Sequence, residues 1–330
     1  MKLLLTGASG FVGGHLLEKL LKEGHQVFAV VRSPEKLQNQ IHSNLTLIRG
    51  DITETTLDWV NLLPENLEAC IHSAGIVHSY EDEEFDRVNH LASNELVKKL
   101  VARYPQNFKY IFISSLAAAG PCSFDEIKNE SSIDLPVSAY GKSKKHAELD
   151  LRTLAPTEWT TSIIRPPMVI GPRDSAVLDI FKMVKSGMII LPGTNSKDKL
   201  YSFVCVFDLI ETISKVLDSS KSHFLYSSHE DVITFNELIL KIKKLMRKKW
   251  IFFIPIPLLI VRILSKILYF FWKLYPHSIR LTPDKIFELE ATSWTCNSEA
   301  SKSELNQIYR YDFDTTIKVT LEDYERRGWL

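Results

Sequence analysis

A glycine turn at residues 6–13 constrains this chain more than any other feature. Lys2–Thr6 reads as a short apolar strand. It runs directly into Thr6-Gly7-Ala8-Ser9-Gly10-Phe11-Val12-Gly13, with a helix-period segment from Phe11 to Glu23 behind it. A strand, then G-x-x-G-x-x-G, then a helix lets a backbone wrap a pyrophosphate. Gly7 allows the tight turn, Gly10 lets the backbone approach the phosphates, and Gly13 permits close helix–strand packing. The helix N-terminus then faces the negative charge. Glycines alone would mark only a turn; the strand before and the helix after give the motif its meaning. Ser9 and Phe11 belong to the same phosphate-facing segment.

The pattern that follows repeats strand and helix. Gln26–Val31, Thr46–Arg49, Ala69–Ser73, Tyr110–Ser114 and Thr161–Arg165 read as strands, with helical periodicity at 87–103 and 138–155. Such alternation predicts an α/β fold, a doubly wound parallel sheet covered on both faces. Beyond Pro166 the pattern becomes irregular and richer in proline and aromatics, which suggests a smaller C-terminal substrate lobe. The expected division is 1–165 for the dinucleotide domain, with about 205–235 returning to it, and 166–204 plus 236–330 for the lobe.

The end of the second strand bears on the cofactor. An acid there would bond a ribose 2′-hydroxyl, whereas an arginine accommodates a 2′-phosphate. Val30-Val31 is followed by Arg32-Ser33, and no acid occurs until Glu35. This favours NADP(H), with NAD(H) as the other option. Asp51 and Ile52, after the third strand, are placed to touch the adenine.

Tyr140 and Lys144 are spaced i and i+4, so on a helix they share a face. A nearby ammonium favours tyrosinate, which suits Tyr140 to exchange a proton with an alcohol or carbonyl oxygen. Ile111-Phe112-Ile113-Ser114-Ser115 places hydroxyls at the C-terminal edge of a strand, where ligands of open α/β sheets bind. No metal site is expected. The four cysteines lie far apart in sequence and form no C-x-x-C pair, so they read as buried free thiols.

Together these residues resemble the extended branch of the short-chain dehydrogenase/reductase superfamily. That branch includes nucleotide-sugar epimerases and dehydratases, 3β-hydroxysteroid dehydrogenases and dihydroflavonol reductases. The resemblance spans nearly the whole chain. It takes in the glycine turn, His72-Ser73-Ala74-Gly75, Val88-Asn89, Ser114-Ser115 and Tyr140/Lys144. It continues through Arg165-Pro166-Pro167-Met168-Val169-Ile170-Gly171-Pro172, Phe203–Leu209 and the ending Glu325–Leu330. The resemblance implies a Rossmann domain, a catalytic Ser115 rather than Ser114, Tyr140 as acid/base, and Lys144 on the nicotinamide ribose. It implies that Ala74 and Pro167 line the cofactor pocket and that Asn89 is structural. It also implies a homodimer through two-helix contacts.

Three departures from the nucleotide-sugar members bear on substrate. Ala119 and Ile170 stand where those enzymes commonly have tyrosine. Tyr201-Ser202-Phe203 lacks their arginine, with Lys199 the nearest cation. A diphosphate wants fixed cations. The expectation is therefore an NADP(H)-dependent oxidoreductase interconverting the alcohol and ketone of a fairly apolar small molecule. The alternatives are a nucleotide-sugar epimerase or dehydratase, and a non-catalytic dinucleotide-binding scaffold on a membrane or complex.

Charge patterning adds one anomaly. The 330 residues carry 40 Lys+Arg and 40 Asp+Glu, which gives no reason to expect nucleic-acid binding. Yet residues 238–283 contain no acid and ten cations, leaving 30 cations against 40 anions elsewhere. A helix opens there at Thr234, three residues before Glu237, in capping-box spacing. Trp250–Pro257 and a second helical stretch, Leu258–Tyr275, follow. The uncharged run Trp250–Val261 is too short to span a bilayer. On the second helix Arg262, Lys266 and Lys273 fall on one side, opposite an apolar and aromatic face. This reads as a peripheral membrane contact through 241–275, or as a lobe helix packed on the core. With no signal-peptide pattern at the N-terminus, a cytoplasmic location is expected, at most peripheral to a membrane.

Overall fold

The computed structural model describes residues 1–37, 42–193, 196–274 and 282–330, with the backbone alone for 271–274. In chain order the first elements are β1 (Lys2–Thr6), α1 (Phe11–Lys22), β2 (Gln26–Val31), β3 (Leu45–Arg49), β4 (Ala69–His72), α2 (Asp82–Phe85), α3 (Ala92–Arg103), β5 (Lys109–Ile113), α4 (Ala139–Leu154) and β6 (Thr160–Arg165). The remainder are β7 (Met168–Ile170), α5 (Leu178–Ser186), β8 (Met188–Pro192), β9 (Leu200–Cys205), α6 (Val206–Asp218), β10 (Phe224–Tyr226), β11 (Val232–Thr234), α7 (Phe235–Leu245), β12 (Phe252–Ile256), α8 (Leu258–Leu274), α9 (Pro283–Glu290), β13 (Ser293–Trp294), α10 (Glu299–Leu305) and α11 (Phe313–Arg326).

Seven strands form one sheet in the order β10-β6-β5-β4-β1-β2-β3, and every pairing in it is parallel. The period-two rule explains its core. Leu3 and Leu5 of β1 face one side, among Leu16, Leu17 and Leu20 of α1 and Leu209 and Ile213 of α6. Leu4 faces the other, among Leu96 and Leu100 of α3 and Leu151 of α4. A strand buried on both faces has no polar side to show, which is why β1 reads as an unbroken run of leucines. Chain order reverses at β1 and β4: the chain builds outward through β2 and β3, then returns to β4 and continues to β5. The crevice at that reversal is where open sheets bind ligands.

A second core lies among α5, α7, α11 and the small sheet β11-β9-β13 with β7, and includes Phe181, Phe203, Ile239, Ile317 and Tyr324. Within 205–235, α6 packs on α1 and β10 edges the large sheet, whereas β11 pairs antiparallel with β9. α10, expected in the lobe, also packs on α6 and β10.

The helical stretch expected at 87–103 is present, as a π-helical turn at 86–91 that continues directly into α3. One region differs from the sequence expectation. Trp250–Pro257 contains a strand, β12, paired in parallel with β8. The capping box at the start of α7 is present, with Glu237 N–H donating to Thr234 Oγ1 at 3.0 Å and the Glu237 carboxylate accepting from Thr234 N–H. Tyr275, the expected end of the second helix, Arg280 and the Lys273 side chain lie outside the described residues. All four cysteines are free; Cys122 is only half-buried, where a buried thiol was expected. Among the described residues, no helix is long and apolar enough to cross a membrane.

Candidate active site

The site is assembled from the C-terminal ends of β1, β4 and β5 and the N-terminal turns of α1 and α4. Gly7 adopts φ +75° beside the Ser73–Ala74 backbone, the left-handed conformation that favours glycine. A Cβ on Gly13 would lie 2.1 Å from Gly7 O, so the turn and the helix touch where only a hydrogen fits. Gly10 is the N-cap of α1, with no side chain capping it and no acid in the first turn. Ser9 and Gly10 are exposed and Phe11 is half-buried. An uncapped helix end with an open backbone suits a pyrophosphate, and the residues present therefore fit a dinucleotide.

A buried chain of hydrogen bonds fixes the floor of this cradle. Thr6 Oγ1 and His72 Nδ1 are 2.7 Å apart, and His72 Nε2 lies 2.9 Å from Ser93 Oγ. Full burial, helped by the Lys144 charge, pushes the His72 pKa down to about 3, so the ring works as a neutral hydrogen-bond bridge. Asn89, from the π-helical turn, accepts from Ile76 N–H at 2.8 Å and donates to Ile76 O at 2.9 Å. It thereby clamps the strand exit that carries Ala74.

Arg32 is exposed, and its Nε lies 3.9 Å from Asp51 Oδ2. Asp51 Oδ1 in turn accepts from Thr53 N–H at 2.9 Å. Ile52 is buried. Arg32 and Asp51 thus stand together at the edge where an adenosine would lie, an acid and a base in one place. Pro167, half-buried, sits in the two-residue link between β6 and β7.

Ser115, Tyr140 and Lys144 converge at the end of β5. Ser115 caps a short turn, its Oγ accepting from Ala117 N–H at 3.1 Å. Ser114 is engaged elsewhere: its hydroxyl donates to buried Glu148 at 2.5 Å. Glu148 and Asp134 also hold Arg165, which is 1% exposed and bonds both carboxylates. This ionic cluster locks α4 to β5 and β6. Lys144, buried, donates to Ile113 O at 2.9 Å, and its ammonium lies 4.8 Å from the Phe112 ring centre. Burial lowers its pKa to about 8, with Glu148 opposing. Tyr140 is pushed up to about 12 by burial, with a Ser115 hydrogen bond pulling it down and Glu288 pushing it further up. The dominant influence on the tyrosine is therefore desolvation, where the Lys144 ammonium was expected.

Sequence reasoning missed the helix that meets the catalytic helix head-on. Asp284 of α9 accepts from the N–H of Ala139 at 2.6 Å and of Tyr140 at 3.4 Å. Glu288 accepts from Ser138 Oγ at 2.8 Å, and Lys285 lies 5.2 Å from the Tyr140 ring centre. Both carboxylates sit at the positive end of α4. With more than a hundred residues intervening, no local pattern links them to Tyr140. Removing the charge at Glu288 should ease tyrosinate formation. A Glu288→Gln enzyme is therefore expected to show the tyrosine-dependent limb of its kcat–pH profile at lower pH than the parent. A limb that stays in place would mean that Glu288 does not tune the tyrosine.

The substrate-facing departures look different in three dimensions. Ala119 and Ile170 are both 0% exposed. Ala119 packs with Tyr226 and Cys296, and Ile170 packs in the lobe core. Their apolarity reports core packing and says nothing about a substrate. Lys199 is buried and donates to Leu289 O, so it offers no free charge. Away from the crevice, Asp86, His90 and His146 bring ligand atoms within 4.8 Å of one another. Both nitrogens of His90 are already engaged there, by Asp86 and by Asp150.

Residues 3–225 match the model of the NAD dependent epimerase/dehydratase family. The chain belongs to that family. Members similar to it include a UDP-glucose 4-epimerase of Vibrio cholerae, 30% identical over 70% of this chain and 72% of the relative. Another is an Escherichia coli O157:H7 enzyme described as an N-acetyl-alpha-D-glucosaminyl-diphospho-ditrans,octacis-undecaprenol 4-epimerase, 27% identical over 74% and 72%. The fold matches that of a Thermus thermophilus UDP-glucose 4-epimerase solved with NAD, with a TM-score of 0.79 and all of both chains covered at 18% identity. The protein is thus an NAD-dependent epimerase/dehydratase-type enzyme of the extended short-chain dehydrogenase/reductase class. The epimerase alternative is better supported than a reductase of apolar ketones.

Proposed function

We propose that this enzyme acts on a sugar whose anomeric oxygen carries a diphosphate, oxidising one carbinol carbon transiently and returning the hydride to give an epimer or a dehydrated keto sugar. What supports the reading is the Ser115–Tyr140–Lys144 grouping beside an open glycine cradle, in a family whose members similar to this chain include sugar-diphosphate epimerases. Bound in the cradle, the nicotinamide would supply reversible hydride acceptance at the substrate carbon. Tyr140 takes the hydroxyl proton as the carbonyl forms and gives it back when the alcohol is restored. Ser115 holds the same oxygen. Lys144 holds the nicotinamide ribose and keeps a positive charge in a dry site. The test is product analysis over a panel of nucleotide sugars. Conversion of one member supports the reading. Inertness toward all of them, with NAD(P)H consumed by apolar ketones, would restore the reductase reading.

NAD(H) is the cofactor of the solved relative, and Arg32 is the feature that favours NADP(H). An Arg32→Ala enzyme is expected to lose affinity for NADP(H) by about tenfold, the worth of one charged hydrogen bond, while NAD(H) affinity holds. Equal losses for both cofactors would show that Arg32 does not read the 2′-phosphate. A homodimer through two-helix contacts is part of the same proposal. Leu91 and Leu149, 50% and 47% exposed on packed helical segments, offer it an apolar patch.

A further inference from the structure

The helix α8 does not lie as a lobe helix should. It buries Val261 and Ser265, at 6% and 1% exposure, and turns its apolar face outward. Leu259, Ile260, Ile263, Leu264, Ile267 and Phe270 are all between 42% and 68% exposed. The ribbon preceding it behaves the same way. Phe252 and Ile254 of β12 and their register partners Met188 and Ile190 of β8 are exposed, while Ile189 and Leu191 between them are buried. Trp250, 58% exposed, stands beside Phe252. An outward apolar surface of this extent on a soluble chain needs an occupant.

Charge identifies it. Arg262 pairs with Glu290 and Lys241 with Asp314. Lys243, Lys244, Arg247, Lys248, Lys249 and Lys266 pair with no carboxylate among the described residues. A second copy of this face would bring like charges together, since residues 238–283 contain no acid. An anionic bilayer satisfies both halves: its acyl boundary takes the apolar face and its headgroups take the cations.

The face is also close to the chemistry. Arg262 ties α8 to α9, whose Asp284 bonds the first turn of the catalytic helix. Tyr269 stacks on Tyr80, with ring centres 6.2 Å apart, and Tyr80 belongs to the loop leaving β4. We infer that the 241–270 face docks on an anionic membrane and brings the Tyr140 crevice to a sugar diphosphate carried on a membrane lipid. The substrate part rests on the function proposed above; the docking part does not.

Flotation of the full chain with vesicles separates the two. Phosphatidylcholine vesicles containing phosphatidylglycerol should carry the protein at low salt, and pure phosphatidylcholine vesicles should carry far less. Each cation near the surface is worth about a fivefold change in partitioning. Lys244→Ser with Arg247→Ser and Lys249→Ser should therefore weaken binding by well over tenfold, and Ile263→Glu with Ile267→Glu should abolish it. Unchanged dinucleotide binding and melting temperature would show that the variants fold. Absence of flotation on anionic vesicles, or equal flotation by the folded variants, overturns the docking surface. With docking intact, turnover of the lipid-carried sugar diphosphate in vesicles should exceed that of the soluble nucleotide sugar. A preference for the soluble form overturns the substrate assignment. Docking with turnover of neither leaves the membrane surface supported and overturns the sugar-diphosphate reading itself.

Discussion

Replacing Tyr140 by Phe should lower kcat by about a thousandfold, the usual scale for loss of a positioned acid/base. Dinucleotide binding and thermal stability should stay near those of the parent. The substitution removes one oxygen and leaves the ring packed against Phe85 and Ala117. The glycine cradle lies on other elements, so cofactor affinity reports the fold independently of turnover. Retention of a large fraction of kcat would remove Tyr140 from the chemistry. It would also revive the non-catalytic scaffold that the sequence left open.

The largest effect on stability is expected at Arg165. Its guanidinium is buried and bonds both Asp134 and Glu148, with Nη1 2.9 Å from the Tyr226 hydroxyl. Arg165→Met leaves two carboxylates with Lys145 alone as counter-charge, 2.5 Å from Asp134 and 3.9 Å from Glu148. Breaking a buried ion pair by removing one partner costs about 3–5 kcal/mol. Adding Glu148→Gln to Arg165→Met should recover part of that loss, because the second carboxylate is then neutral. Urea unfolding of the two variants measures both quantities. A single-variant loss below about 1 kcal/mol, well short of that cost, would mean that Lys145 or water serves both carboxylates.

The large sheet was legible in the sequence because parallel strands buried on both faces are runs of Val, Ile and Leu between turns. Leu3–Leu5, Gln26–Val31 and Ile111–Ile113 needed no tertiary information. The cradle and the Tyr140–Lys144 pair were legible for a related reason, since each depends on spacing within one local segment, whereas Ser115 rather than Ser114 is what the family resemblance implies. What the sequence hid depends on which side of an element meets a neighbour. Ala119 and Ile170 looked like pocket walls and are core residues. The two faces of α8 can be drawn from its periodicity, but periodicity does not say which face is buried, and the apolar one is outside. Asp284 and Glu288 reach Tyr140 only because α9 folds back onto the catalytic helix. The strand β12 carries Pro255, which is tolerated in a two-stranded ribbon.

In the proposed reaction hydride returns to the substrate. Its most direct test is the stoichiometry of nicotinamide reduction to sugar product in one incubation with a converted sugar diphosphate. Many turnovers per enzyme are expected, with no accumulation of reduced cofactor. Release of one reduced nicotinamide for every product molecule would contradict it and identify a net dehydrogenase.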